Sequence, residues 1–126
     1  MLQELLDELP PERLKSASEH VWKIAAIQHQ ALELLDKMLA ERGLSITLDE
    51  TIEPPVSADD LRGSLNRYLS ERPTLLERLE LLTGEQWLHQ ARHPRYCRFL
   101  VLLLIQRLTL IELHHVYQIG EILLAL

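Results

Sequence analysis

Apolar residues recur along this chain with a helical period, and polar residues mark the turns between. Leu2, Leu5, Leu6 and Leu9 share one helix face until Pro10 and Pro11 end the pattern, which predicts a first helix of about two turns. A second helix is expected to begin near Ser18, a residue type that caps helix N-termini, and to run to Gly43, which supplies a C-terminal stop. Its inward stripe comprises Val21, Ile24, Ala25, Leu32, Leu35 and Leu39, with Lys23, Gln30, Glu33 and Lys37 on the other side. From Gly43 to Val56, Thr and Asp residues and the pair Pro54 and Pro55 interrupt any period, so a long crossover connection is expected there. Ser57 opens a third helix, with Asp60 at the positive end of its dipole and Leu61, Leu65, Tyr68, Leu76, Leu79 and Leu82 turned inward. Pro73 predicts a kink or a break in that helix. "TGEQW" reads as a capping box between Thr83 and Gln86, opening a short helix that presents Trp87. "HQARHPRYCR" reads as a loop, and a terminal helix takes most of the stretch from Phe99 to Leu126.

With no alternating strand pattern, this order of elements predicts an all-α fold. The expected form is a four-helix bundle with a long crossover between the second and third helices and a shortened first helix. A chain of 126 residues suffices for one domain, 1–126, and one core. It shows no internal repeat and no low-complexity tract.

Charge and composition narrow the function. Lys and Arg number 13 against 19 Asp and Glu, a net charge of −6 that argues against nucleic acid, whose phosphates are held by cation clusters. Apolar residues make up 47% of the chain and glycines number only 4, a balance that favours helices over sheets. The lone cysteine, Cys97, has no internal disulfide partner, which fits the reducing cytoplasm where the protein is expected. "MLQELLDELPP" lacks the basic and apolar regions of a secretory signal. The most apolar run, "FLVLLLI", stops at Gln106, short of the roughly 20 residues that span a bilayer, so no membrane partner is expected.

The polar residues inside apolar helices are the candidate chemistry. On a wheel of about 100° per residue, Arg107, His114 and Glu121 form the solvent stripe of the terminal helix. Val101, Ile105, Leu108, Ile119 and Leu123 form the inward face, with Glu112 in its middle and His115 at its shoulder. On the second helix Gln28 points inward, while His29 lies nearly 100° away beside Asp36 and Trp22. Gln28, Glu112 and His115 are therefore expected to form one buried polar cluster, read first as a register-fixing core network, next as a ligand-site remnant and last as a working site. A buried, unpaired Glu112 would have a raised pKa, and Glu112→Gln would then stabilise the fold; a loss of several kcal/mol would indicate a charged partner.

Other candidates are thinner. Glu112 and His115 make a Glu-x-x-His pair of the kind di-iron bundles use, but no second copy exists in the chain. Cys97 would be a nucleophile only with its thiolate stabilised by Arg95 and Arg98. Arg92, Arg95 and Arg98 would suit a carboxylate or phosphate, or simply a solvated loop. Trp22, Trp87 and Tyr96 read as packing residues.

The stretch Leu75–Ile119 resembles the DinB/YfiT-like superfamily, helical bundles unrelated to the translesion polymerase that shares the name. In that family a Trp after a turn precedes an R-H-P-x-F-G-like loop and a final helix bearing H-D-x-H-H-x-x-Q-I. Here Trp87, the loop from Arg92 to Cys97, and Ile111-Glu112-Leu113-His114-His115-Val116-Tyr117-Gln118-Ile119 stand in that order. "HVWKIAAIQHQALE" matches the family's second helix more loosely. The resemblance implies a four-helix bundle, commonly dimeric, in which one helix-two histidine and two last-helix histidines four apart bind a divalent metal such as zinc or nickel. It also implies a thiol-dependent S-transferase, isomerase or hydrolase, the metal activating a low-molecular-weight thiol or a water. The first last-helix position is Ile111, and isoleucine cannot coordinate a cation. The second is His115, and the helix-two position falls on Gln28 or His29. The expectation is therefore a degenerate site holding no metal, in a protein with a binding or structural role. The alternative is an active metalloenzyme, its substrate unspecified, in which His29, His115 and Glu112 or His114 hold the ion. A third reading is a small-molecule binder with a cavity lined by Gln28, Glu112 and His115. The short first helix, and a terminal helix apolar around most of its circumference, leave surface to cover, so a homodimer is expected.

Overall fold

The computed structural model describes residues 10–40, 45, 46, 52, 54, 61–95 and 99–124. The expected first helix, the Gly43 stop, the Ser57 and Asp60 helix start, most of the crossover, and Tyr96, Cys97 and Arg98 lie outside them. Among the described residues there are four helices: α1 (Pro11–Ala40), α2 (Leu61–Glu80), α3 (Gly84–Trp87) and α4 (Val101–Leu124).

Helix α1 is the expected second helix, but it starts seven residues earlier than Ser18. Proline suits the first helical position, because the N–H it lacks would have no intrahelical acceptor there. Pro10 then contributes its carbonyl, which accepts from Leu14 N at 2.8 Å. Ser18 is not a cap: its Oγ donates to the Leu14 carbonyl at 2.7 Å, inside a continuous turn. The double proline therefore opens α1.

Helix α2 runs unbroken through Pro73, against the expected break. The Leu69 carbonyl that Pro73 cannot serve belongs to an exposed residue, within reach of solvent. Because the helix keeps its phase, the inward position after Tyr68 is Leu75, at 1% exposure, while Leu76, expected inward, is exposed. The Thr83 capping box forms as expected, with Thr83 N donating to Gln86 Oε1 at 2.9 Å and Gln86 N donating to Thr83 Oγ1 at 3.2 Å. The segment expected to be a plain loop instead carries a short antiparallel ladder, β1 (Gln90–Ala91) with β2 (Phe99–Leu100). Two-residue strands are too short for alternation to show. Arg92 extends this patch by bridging Ser45, and its carbonyl accepts from Ile46 N at 2.9 Å, so the crossover is pinned beside the start of α4.

Helix α1 is central, with α2 and α4 both packed against it. Contacts between α1 and α2 join Gln28 to Tyr68, His29 to Glu71 and Asp36 to Arg78, a near-constant offset that shows the two helices running parallel. A parallel pair needs a connection that returns along the bundle, which accounts for the long crossover. Helix α4 runs the other way: Leu35 and Met38 share a cluster with Val101 and Leu104, whereas Ala17 and Val21 meet Ile119. The larger apolar cluster joins Ile27, Ala31, Leu35 and Met38 to Leu75, Phe99, Leu104, Leu108 and Ile111. A smaller one joins Ala17, Val21, Leu61, Leu65 and Ile119 at the other end. The polar side chains that the wheel turned inward lie between the two. No described helix is long and apolar enough to cross a membrane.

Candidate functional site

The polar layer has two halves. In the first, His115 of α4 meets His20 of α1, Nδ1 to Nδ1 at 2.8 Å, with ring centroids 5.1 Å apart. One of the two nitrogens must donate and the other accept, so at least one ring is neutral. His114 sets its ring edge against His115 at 5.2 Å but is itself exposed, as expected. Burial, then the proximity of His20, His114 and Lys23, pushes the His115 pKa from 6.5 down to about 4. Burial also lowers that of His20, helped by Lys23 and His114 and opposed by Glu19.

That depression makes stability depend on pH. Unfolded, both imidazoles take up protons near 6.5, whereas folded His115 stays neutral until about 4. Between those values the unfolded chain binds more protons, so stability falls as pH drops through that window. The expected loss is on the order of 2 kcal/mol after allowing for solvent screening. Urea denaturation at pH 7 and pH 4.5 measures it, and His115→Leu should flatten the difference.

In the second half, Tyr68 of α2 is the hub. Its carbonyl accepts from Gln28 Nε2 at 2.9 Å, and its hydroxyl donates to Glu112 Oε1 at 3.0 Å. The same hydroxyl accepts from Arg72 Nη2 at 2.6 Å, and the Arg72 guanidinium lies over the Tyr68 ring. Arg72 also forms an ion pair with Glu112. Glu112 of α4 is therefore paired, with a cation and a hydroxyl that both come from α2. Glu112→Gln should accordingly destabilise the fold by about 1–3 kcal/mol at pH 7, measured by chemical denaturation, instead of stabilising it. Gln28 is fully buried, and its Oε1, like Ser64 Oγ, has no protein hydrogen-bond partner.

The expected cluster of Gln28, Glu112 and His115 is thus divided: Gln28 and Glu112 converge on Tyr68, and His115 turns to His20. His29 is exposed and bonded to Glu33 at 2.9 Å and Glu71 at 3.2 Å. It stands nine residues from His20, which is about 13 Å and half a turn around α1, so it faces away from His115. Ile111 is buried with Leu104 and Leu108 in the larger apolar cluster. Among the described residues no three His, Cys, Asp or Glu side chains are grouped to hold a metal ion. The three-histidine set that the family resemblance implies does not fit these residues.

Two surface clefts accompany the layer. One of about 380 Å³ is lined by His29, Glu33, Asp36, Glu71 and Arg78. The other, about 330 Å³, is lined by Glu12, Ser16, His20, Gln118 and Glu121. Neither is lined by Gln28, Glu112 or His115, the residues of the expected binding cavity. Comparison with family models, curated proteins and solved structures finds no match.

Sequence reasoning missed His20, Arg72 and Tyr68 as a hydrogen-bonding hub. A signal for His20 exists: it precedes Ile24 by four residues and Ile27 by seven, on the edge of the inward stripe. A helix begun at Ser18 leaves it in a fraying first turn. Once α1 begins at Pro11, His20 lies in the helix interior.

Proposed function

We propose that this chain is a DinB-like four-helix-bundle protein whose family metal site is degenerate, acting as a cytoplasmic homodimer in a binding or structural role. The observation that carries this reading is Ile111. It packs into hydrocarbon one helical turn before His115, where the resemblance calls for the first histidine of the last helix. The neighbouring carboxylate, Glu112, is held by Arg72 and Tyr68 and points its charge at a cation already supplied by the chain. Elemental analysis of protein purified without chelator or affinity tag tests the proposal. Well under one zinc or nickel per chain is expected, and a stoichiometric ion lost in His115→Ala would overturn it.

One observation favours a second reading, a divalent-metal-dependent thiol S-transferase or hydrolase. The two Nδ1 atoms of His20 and His115 face each other 2.8 Å apart, and a separation of about 3.3 Å, reached by a small ring movement, would suit two ligands of a tetrahedral ion with bonds of about 2.0–2.1 Å. Two nitrogens are one donor short of a catalytic zinc site. Transfer of glutathione, mycothiol or bacillithiol to an electrophile, dependent on added metal and on both histidines, would establish this reading in place of the first.

A further inference from the structure

The face of α4 turned away from the core is apolar too. Leu102, Leu110, Leu113, Val116, Tyr117 and Leu124 are 41–87% exposed. With Gln106, Thr109 and Gly120 they fill an arc of about 120° that contains no charged side chain. Leu102, Gln106, Thr109, Leu113, Val116 and Gly120 follow one another in alternating steps of four and three, the spacing of a helix-pairing seam. The stripe runs about 33 Å along the helix. Its exposed area, roughly 700 Å², exceeds the usual largest patch of a monomer and approaches the ~800 Å² per partner of a stable interface.

Gly120 adds an independent indication. Glycine inside a helix costs about 1 kcal/mol relative to alanine. A Cβ built at Gly120 would nevertheless meet nothing within 4 Å, so the fold of one copy gives no reason for a glycine there. A second helix approaching this face closely does give one.

We infer that α4 pairs through this seam with α4 of a second copy, antiparallel, about a two-fold axis level with Leu113 and His114. The inference rests on the dimeric reading above and adds the face and the direction. Direction follows from the side on which the stripe widens: Leu110 and Tyr117 flank the seam on the side away from Glu112. An antiparallel two-fold brings this same flank of both copies together, whereas parallel pairing sets it against the flank that carries Glu112. The antiparallel arrangement also places Leu110 against Tyr117 of the partner subunit, so the bulkiest exposed side chains fall near the centre.

Light scattering at micromolar concentration should give a dimer. Leu113→Glu and, separately, Val116→Glu should give folded monomers with unchanged helical circular dichroism, since both side chains are more than half exposed. The expected weakening of association is 100-fold or more. In a Cys97→Ser background, Leu113→Cys should cross-link on mild oxidation, because near the axis two Cα atoms come within the roughly 7 Å a disulfide needs. Gly120→Cys should not, its two copies lying about 20 Å apart along the helices. A monomeric wild-type protein would overturn both the dimer and the seam. A dimer that survives both glutamate variants would overturn the seam alone and assign the stripe to a cover within the same chain, such as the Leu2–Leu9 stretch. Cross-linking through Gly120→Cys as well as through Leu113→Cys would overturn the direction.

Discussion

Leu104→Ala is expected to lower folding stability by about 2–5 kcal/mol, one of the two largest effects foreseen here. Leu104 is fully buried in the larger apolar cluster between α1 and α4, so its removal loses transfer free energy and leaves a cavity that the surrounding helices fill only in part. The same substitution at Leu113, 64% exposed on the other side of α4, removes no core contact. Its cost should stay within about 0.5 kcal/mol in dilute protein and grow with concentration as the dimer forms. Urea denaturation of both variants at two protein concentrations separates the faces. Equal, concentration-independent losses would mean that α4 is not oriented as described.

Ile111→His should produce the second large effect, a gain of zinc binding over the wild-type chain. The new imidazole would sit one turn before His115 on the same face of α4, while His20 already faces His115 from α1. Three nitrogens with an open fourth position make a zinc site of the catalytic kind. Without metal the variant should be less stable than wild type, because a polar ring replaces a hydrocarbon among Leu104 and Leu108. With free zinc at a hundredfold excess over Kd, binding to the folded state should contribute about 2.7 kcal/mol, read as a rise in Tm. His115→Ala in the same background should abolish the rise. An equal zinc-dependent rise in the wild-type protein would show that the site had never been lost.

Side-chain direction was the most legible feature of the sequence. The period of α4 put His115 on the inward side and His114 outside, and the period of α1 buried Gln28, as the structure has them; but the inward face of α4 centres on Leu104, Leu108, Ile111 and His115, which leaves Ile105 and Glu112, expected in it, only half-buried. These assignments depend only on about 100° per residue once a helix exists. What the sequence concealed depends on how helices sit against each other. Arg72 reaches Glu112, and Tyr68 reaches both Glu112 and Gln28, because α2 sits at a particular offset against both α1 and α4, which no single helix encodes. Helix limits were ambiguous for a local reason: a proline pair ends one helix as readily as it begins the next, and Glu12–Ser16 offers Leu14 as its only apolar residue. Leu75 was overlooked because a break at Pro73 would have reset the helix phase. The helix keeps its phase instead, at the cost of one hydrogen bond on an exposed turn.

The degenerate-site account turns on what surrounds the His115 imidazole. The most direct test is a crystal structure of tag-free protein, grown with added zinc, with anomalous scattering recorded across the zinc edge. The account predicts His115 bonded to His20, the Ile111 side chain packed on Leu104 and Leu108, and no anomalous peak at bonding distance, about 2.0–2.1 Å, from either imidazole. An ion held there by three or more protein atoms would contradict it.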